Sequence, residues 1–185
     1  MNVATFILAA GLLSLERLCY IWVWHAPESF RSFVARAALA SSARTGDDGC
    51  DATEALTRLF YGFKVVQLGV FLTWVLIHGH GAFWPTQAPP WAIGLGAVLL
   101  AFGQMLNISV FRRLGAVGVF YGCRFGYDVP RCRTFPYSWF SHPQYAGAVL
   151  SIWGGFAILR YPHPDWCVLP LLETAYYAIG ASLEQ

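Results

Sequence analysis

The fold is decided by residues 143–183, PQYAGAVLSIWGGFAILRYPHPDWCVLPLLETAYYAIGASL. This stretch contains two apolar runs, Pro143–Tyr161 and Trp166–Leu183, with the short link YPHPD between them. Proline cannot continue a helix interior, because it lacks the amide donor and its ring clashes with the preceding turn, so the two prolines of the link mark a turn. The pattern therefore predicts two apolar helices joined as a tight helical hairpin.

Three further apolar runs precede the hairpin, and together the runs indicate the class of protein. They are Met1–Trp24, Leu59–Ile77 and Trp91–Phe111. A helix of about 20 apolar residues crosses a bilayer. The 185 residues are 57% hydrophobic and only 12% charged, with a mean hydropathy of +0.49, which a water-soluble domain of this length could not accommodate. We therefore predict an all-α integral membrane protein with about five membrane-embedded helices, of which the last two form the hairpin.

Arginine placement predicts which side of the membrane each connection faces. The segments between runs one and two and between runs three and four are rich in arginine, whereas the connection HGHGAFWPTQAPP between runs two and three has none. Basic connections stay in the cytoplasm, which places the start of run four, at His142, and the end of run five, at Glu184, on the cytoplasmic face. Arg160, at the opposite end of the hairpin, runs against this orientation.

Several polar residues are candidates for chemistry, because apolar helices do not need them for packing. His142 and Tyr145 stand at the entry of run four, and Glu184 ends run five, where a carboxylate opposes the helix dipole. For His142 and Tyr145 a bland interpretation as interfacial residues stays open. Charged residues inside the runs are functional candidates or partners of one another. They are Glu16, Arg17, Lys64 and Glu173.

Small residues are concentrated in run three and in the segment after it. Run three contains Gly94, Gly96, Ala101 and Gly103, and the segment RRLGAVGVFYGCRFGYD has four more glycines. Small residues allow helices to pack closely in lipid. They equally allow a backbone to approach a ligand, so both interpretations stay open at this stage.

The segment LGAVGVFYGCRFGYDVPRCRTFPYSWFSHPQYAGAVLSIWGG, with the closing LEQ, resembles the phospholipid methyltransferase family, typified by phosphatidylethanolamine N-methyltransferase. More broadly it is similar to the membrane methyltransferases that include isoprenylcysteine carboxyl methyltransferase. The resemblance covers roughly residues 101–185 and rests on LG-x-x-G-x-F-x-G-x-x-FG, FP and [HN]-P-x-Y-x-G. It implies methyl transfer from S-adenosylmethionine to the amine of phosphatidylethanolamine and its mono- and dimethyl derivatives, towards phosphatidylcholine.

The resemblance implies a cofactor pocket on the cytoplasmic side. The family ties a Gly-x-Gly pair in the third span and a Glu-Glu pair at the end of the last helix to the cofactor. These pairs fall on Ala101 and Gly103, and on Glu184 and Gln185, so that alanine replaces one glycine and an amide replaces one carboxylate. The residues expected to bind S-adenosylmethionine are Ala101, Gly103, His142, Tyr145, Gly147, Glu184 and Gln185.

The resemblance also implies roles in catalysis and in substrate binding. A headgroup ammonium has no lone pair until it loses a proton, and His142 or Glu184 is expected to serve as the base or as the proton's route. Cationic side chains are expected to engage the lipid phosphate or the methionyl carboxylate through charge-assisted hydrogen bonds. These residues are Arg124, Arg131 and Arg133.

The chain is expected to form a single domain over residues 1–185. Residues 1–90 would provide N-terminal helices and a mobile polar loop at 30–57, and residues 91–185 the cofactor-binding and catalytic part. The expected location is the bacterial inner membrane or the endoplasmic reticulum. A net charge of +2 predicts no nucleic-acid partner, and five scattered cysteines predict no metal site.

Two other functions stay open. The same fold could methylate a different acceptor, such as a prenylated cysteine carboxylate, a thiol or a small amine. The chain could also be a non-catalytic membrane helix bundle, although such a bundle would not need His, Tyr, Arg and Glu gathered at one face. A transporter is disfavoured, because the sequence has no repeated halves.

Overall fold

The computed structural model describes residues 2–45, 51–79, 88–130 and 132–184. The described residues contain no strand, which confirms the all-helical prediction for them, and each of the five apolar runs lies in a helix. A 3-10 turn at Gly122–Phe125 follows the fourth helix. The helices are α1 (Val3–His25), α2 (Pro27–Thr45), α3 (Ala52–His78), α4 (Pro90–Val119), α5 (Pro143–Leu159) and α6 (Val168–Leu183).

Three helices are long and apolar enough to cross a membrane. They are α1, α3 and the segment Pro90–Phe125, which contains α4 and the 3-10 turn and in which Gly115 interrupts the helical backbone. The two helices of the hairpin have 17 and 16 residues. At a rise of 1.5 Å per residue each is about 25 Å long, slightly less than a hydrocarbon core of about 30 Å. The protein is therefore an integral membrane protein, and the crossing of the bilayer by α5 and α6 stays a prediction.

Helix α2 lies where the sequence predicts a polar loop over residues 30–57, and this prediction is wrong for residues 30–45 and for residues 52–57, which begin α3. Proline suits the first turn of a helix, and Pro27 begins α2. Phe30 and Val34 are one turn apart and both are buried, in a cluster with Val23 and Leu56. Two buried apolar residues on one face are enough to dock α2 against the bundle. They are too few for the amino-acid composition of this segment to indicate a helix.

The helices form one bundle with an apolar cluster towards each end. Helix α1 packs against α2, α3 and α6, while α5 packs against α4 and α6. At the end that carries α2, the cluster includes Tyr20, Phe120 and Phe125. Towards the other end it includes Trp74 and Phe156. Polar side chains of α1, α3 and α6 occupy the level between the two clusters.

Helices α4 and α5 approach each other closely through glycines. A Cβ atom added to Gly103 would lie 2.5 Å from the carbonyl oxygen of Gly147, and one added to Gly147 would lie 2.7 Å from the carbonyl oxygen of Gly103. Both distances are too short for a real contact, so only glycine fits at either position. The helix-packing interpretation of run three is thus confirmed for Gly103, whereas Ala101 lies on an exposed side of α4.

A buried ion pair ties the hairpin to α3. Arg160 Nη2 lies 2.5 Å from Asp165 Oδ1, and it also donates to the carbonyl oxygen of His78 at 3.1 Å. Trp74 Nε1 donates to the other carboxylate oxygen of Asp165 at 3.1 Å. Arg160 is only 3% exposed. Since its charge is neutralised inside the protein, this arginine does not count against the orientation that the basic connections predict.

Candidate functional site

The opposite end of the bundle from Arg160 holds a carboxylate that accepts hydrogen bonds from two tyrosines. Tyr121 Oη donates to Glu184 Oε1 at 2.6 Å, and Tyr145 Oη donates to the same oxygen at 2.5 Å. The two hydroxyl oxygens are 2.9 Å apart. The structure therefore brings together Tyr145 and Glu184, two of the residues predicted from the sequence. It adds Tyr121, which the sequence does not predict.

Tyr121 is placed by an unusual backbone conformation. Its φ of 54° and ψ of 32° lie in the left-handed region, which costs a non-glycine residue about 1–2 kcal/mol. On either side of it, Gly115 has a φ of 63° and Gly126 a φ of 89°, and these conformations suit glycine. The glycine-rich segment thus folds back at the end of α4 and points the phenol at Glu184. The sequence shows the glycines but not which side chain they present.

His142 completes the polar end of the hairpin. It precedes the first residue of α5, and its ring lies parallel to that of Tyr145, with 5.5 Å between the ring centres and 13° between the planes. His142, Tyr145 and Glu184 line a cleft of about 130 Å³. Tyr137 also lines it, and burial, with a smaller contribution from Cys132, raises the pKa of Tyr137 to about 12. That hydroxyl therefore remains a donor at neutral pH.

A larger cavity of about 580 Å³ lies beside the cleft, between α1, α3, α4, α5 and α6. Gln144 and Tyr145 line both spaces. Small-molecule sites usually have volumes of about 300–1,000 Å³, a range that includes the cavity but not the cleft alone. The polar side chains that line the cavity are Glu16, Arg17, Tyr20, Tyr61, Lys64, Gln104, Asn107, Arg112, Gln144, Tyr145 and Tyr177.

A buried charge cluster forms one wall of the cavity. Glu16 binds Arg17 through one carboxylate oxygen and Lys64 through the other, each at 3.0 Å, which confirms that the charges of run one compensate each other. Lys64 also donates to Gln67 at 3.0 Å and to Tyr177 at 3.3 Å. These contacts join α1, α3 and α6. The sequence shows each charge separately, but not that residues 48 positions apart meet at a cavity.

Two polar groups on the cavity wall have hydrogen-bonding capacity to spare. Among the described residues, Arg17 Nε and Nη1 and Asn107 Oδ1 are buried without a hydrogen-bond partner. The guanidinium carbon of Arg17 lies 3.9 Å from the centre of the Tyr177 ring. Buried polar groups in proteins are normally paired. Asn107 Oδ1 packs against Gly147 of α5, whereas the unpaired donors of Arg17, which lines the cavity, suit a polar ligand there.

The arginines predicted to bind substrate lie elsewhere, as far as the structure describes them. The guanidinium of Arg124 stacks 3.6 Å from the centre of the Trp24 ring. Arg133 is exposed, and neither residue lines the cleft or the cavity. Arg131 and Gln185 are outside the described residues. A role of any of these four in binding stays a prediction.

Of the small residues predicted to touch the cofactor, Gly103 and Gly147 face each other between α4 and α5, and Ala101 lines neither the cleft nor the cavity. Glu173, the odd carboxylate of run five, is 1% exposed and accepts a hydrogen bond from Gln67 at 2.7 Å, so its partner is an amide instead of an arginine.

Comparison with known proteins gives one family and several relatives. The model of the family described as phospholipid methyltransferase matches residues 91–185, just over half of the chain. Phosphatidyl-N-methylethanolamine N-methyltransferase of Arabidopsis thaliana is 29% identical over 133 residues, which cover 72% of this chain and 67% of that protein. Phosphatidylethanolamine N-methyltransferase of Rattus norvegicus is 32% identical over 92 residues, or 49% of this chain and 45% of that protein.

A third relative extends the comparison to fungi. Phosphatidyl-N-methylethanolamine N-methyltransferase of Schizosaccharomyces pombe is 30% identical over 97 residues, which cover 52% of this chain and 48% of that protein. The chain thus spans about half the length of the rat and fission-yeast relatives. No solved structure matches the chain significantly.

Proposed function

This chain belongs to the phospholipid methyltransferase family, and on that basis we propose that it transfers the methyl group of S-adenosylmethionine to the amine of a phospholipid headgroup. The proposed acceptors are phosphatidylethanolamine and its mono- and dimethyl derivatives, and the final product is phosphatidylcholine. The names of the relatives support this acceptor class. One structural observation carries the proposal. Tyr145, which donates to Glu184 in the cleft, also lines the cavity between the membrane helices.

The residues of the cleft suit the proposed cofactor. Glu184 can accept charge-assisted hydrogen bonds from a cationic or hydroxylated group, and Tyr121 and Tyr145 hold its carboxylate in place. His142 and Tyr145 offer stacked aromatic faces beside it. Since the cleft of about 130 Å³ is too small for a nucleoside alone, we place the rest of the cofactor in the adjoining part of the larger cavity.

The proposed reaction requires the protein to position the headgroup amine against the methyl donor and to remove a proton from that amine. When bound, S-adenosylmethionine supplies a methyl group that is already activated on a sulfonium. An N–C bond forms on the headgroup nitrogen as the S–C bond breaks, which leaves a neutral thioether. The nitrogen must first lose a proton, because an ammonium has no lone pair. We assign that proton to His142, because an imidazole is a common general base in catalysis, with Glu184 as the alternative acceptor.

The walls of the cavity favour the reaction in two ways. Aromatic side chains such as Tyr20, Phe60 and Phe111 line it and limit the water that reaches the reacting atoms. The cations Arg17 and Lys64 stand nearby, and a positive neighbour favours the neutral form of an amine over its ammonium. Both effects make an uncharged amine easier to present to a methyl donor.

The site is proposed to face the cytoplasm. Arg31 of α2 donates to the carbonyl oxygen of Phe125, and Arg124 stacks on Trp24 of α1, so the arginine-rich connections lie at the same end as Glu184. Basic connections remain in the cytoplasm, where S-adenosylmethionine is made available in water. This orientation suits either the bacterial inner membrane or the endoplasmic reticulum.

A competition assay tests the proposed acceptor. Purified protein is incubated with radiolabelled S-adenosylmethionine and with phosphatidylethanolamine, its mono- and dimethyl derivatives, a prenylated cysteine and a long-chain thiol. We expect label in the three amine lipids only. Label in the prenylcysteine or in the thiol, with none in the amine lipids, would move the chain to the rival acceptor class.

A further inference from the structure

In the charge cluster on the cavity wall, two cations share one carboxylate as their ion-pair partner. Glu16 binds both Arg17 and Lys64. Glu173, the other carboxyl group of this region, is bonded to the amide of Gln67. Charged groups in the middle of membrane helices are costly and are usually functional. An anionic ligand in the cavity would give Arg17 and Lys64 a second partner.

The geometry of Arg17 suits an anion with several oxygens. One of its terminal nitrogens is engaged by Glu16, while Nε and Nη1 have no partner among the described residues. The side chain is only 7% exposed, so water does not satisfy these donors. A guanidinium donates charge-assisted hydrogen bonds to phosphate oxygens. Nε and Nη1 of Arg17 lie on different edges of the group, and each can donate one such bond.

The cavity also has access from the side of the bundle. Its rim includes Tyr61 of α3 and Ile108 of α4, which are 57% and 49% exposed. Both lie on helices long enough to cross the membrane, so their exposed sides face lipid. An opening between α3 and α4 would admit a ligand from the bilayer to the level of Arg17.

The polar site continues into an apolar groove. Lys64 lines the cavity and also a groove of about 250 Å³ between α3 and α5. The remainder of that groove is lined mainly by apolar side chains, among them Leu68, Phe71 and Ile152. A charged site that adjoins an apolar groove is suited to bind an amphiphile. S-adenosylmethionine has a carboxylate but no apolar tail, so the groove favours a lipid phosphate over the cofactor's carboxylate.

We propose that Arg17 and Lys64 bind the phosphodiester of the acceptor phospholipid, with Glu16 holding the two cations in place and an acyl chain in the groove between α3 and α5. The inference rests on the proposed function and states where that function's acceptor is held. The ring centre of Tyr145 is 5.4 Å from the guanidinium carbon of Arg17. A headgroup amine on the Tyr145 side of the phosphate therefore faces the cleft that contains Glu184.

The test compares lipid and cofactor binding in one set of variants. Initial rates are measured in mixed micelles with varied phosphatidylethanolamine content, and S-adenosylmethionine binding is measured by calorimetry. For Arg17→Gln we expect KM for the lipid to rise about tenfold or more, as for a lost hydrogen bond to a charged group, with Kd for the cofactor unchanged. Arg17→Lys, which keeps the charge but replaces the guanidinium donors by an ammonium, should lie between. Arg36→Gln, at an exposed position on α2, is the matched control.

Folding and the proposed function are checked separately. Glu16 keeps its ion pair with Lys64 in both Arg17→Gln and Arg17→Lys, and cofactor binding by these two variants reports an intact fold. Weaker cofactor binding with an unchanged lipid KM in Arg17→Gln would assign the site to the cofactor and overturn the inference. Unchanged values for both would overturn it as well. If the wild-type protein methylates no amine lipid, the proposed function itself fails.

Discussion

Tyr121 and Glu184 are 63 positions apart in the chain, yet the tyrosine hydroxyl donates to the carboxylate at 2.6 Å. This contact joins the turn after α4 to the end of α6. It fixes the carboxylate from one side while Tyr145 fixes it from the other. The two tyrosines donate to one carboxylate oxygen and leave the other oxygen of Glu184 for a ligand. Together they orient an acidic group beside the membrane cavity.

Removal of the Tyr121 hydroxyl should weaken cofactor binding without unfolding the protein. In Tyr121→Phe the ring keeps its edge contacts with Tyr20 and Trp24, but one hydrogen bond to a charged acceptor is lost. We expect Kd for S-adenosylmethionine to rise about tenfold, as measured by calorimetry. Tyr161→Phe, at the far end of the bundle, is the control, and an equal effect of both variants would contradict the assignment.

Replacement of Glu184 by glutamine tests its charge separately from its shape. The amide retains an oxygen for the two tyrosines but loses the negative charge, so a cationic or hydroxylated ligand is held less strongly. We expect Glu184→Gln to raise Kd for the cofactor by about tenfold or more. Glu28→Gln, at an exposed carboxylate on α2, should leave Kd unchanged. Unaltered cofactor binding by Glu184→Gln would remove this residue from the site.

The pH profile of a His142 variant distinguishes proton transfer from positioning. If His142 accepts the headgroup proton, His142→Ala should lower kcat most near neutral pH, where the amine is protonated and needs a base. The loss should shrink towards about pH 10, where an alkyl ammonium loses its proton unaided. His163→Ala, in the link between α5 and α6, serves as the control. A loss of equal size at every pH would instead assign His142 a positioning role.

The close approach of α4 and α5 makes a sharp prediction about two glycines of the same helix. In Gly103→Ala the new Cβ would lie 2.5 Å from backbone oxygen of α5, whereas Gly94→Ala meets nothing within 4 Å. Overpacking of this kind costs about 1–3 kcal/mol. Thermal unfolding in detergent should therefore show a lower Tm for Gly103→Ala than for Gly94→Ala. Equal Tm values for the two variants would contradict the helix contact.

The Arg160–Asp165 pair should make stability depend on pH at the other end of the bundle. Burial acts to raise the pKa of Asp165, but the hydrogen bond and charge of Arg160 outweigh it and hold that pKa below its ordinary value. Because the folded state has the lower pKa, the pair stabilises the protein above about pH 4 and this contribution is lost as the pH falls through the folded pKa.

Unfolding measurements on two variants check this pH dependence. Asp165→Asn should lower Tm at pH 7 and remove the part of the acid dependence that comes from the pair. Asp128→Asn, at an exposed aspartate in the connection after α4, should retain the wild-type dependence. If Asp165→Asn keeps the full acid dependence, other carboxylates are responsible for it.

Local patterns in the sequence were sufficient for the main helices and for the hairpin. Apolar runs and prolines act within a few residues, so the bounds of α5, which begins at Pro143, could be predicted closely. Helix α2 could not be predicted in this way, because only Phe30 and Val34 mark its buried face. Whether these two side chains are buried depends on the residues that they contact in the folded protein. The sequence shows the charged residues Arg17 and Lys64 separately, but the cavity that they share depends on how α1 and α3 pack.

Tyr121 shows a different limit of the sequence. The sequence shows that the segment around it is rich in glycine, and the resemblance to a family indicates that the segment contributes to function. The segment presents Tyr121 because this residue is left-handed and its turn contacts the end of α6. No local sequence pattern encodes that contact. His142, Tyr145 and Glu184 were accessible because prolines and helix ends mark where they stand.

The central claim is that this chain methylates the nitrogen of a phospholipid headgroup at the site where Tyr145 joins the cleft to the membrane cavity. The most direct test incubates the protein in vesicles of phosphatidylethanolamine with methyl-deuterated S-adenosylmethionine and analyses the lipids by mass spectrometry. We expect one to three deuterated methyl groups on the headgroup nitrogen, in amounts strongly reduced by Glu184→Gln. Lipids that stay unlabelled while the protein binds the cofactor, or label at any other atom of the lipid, would contradict it.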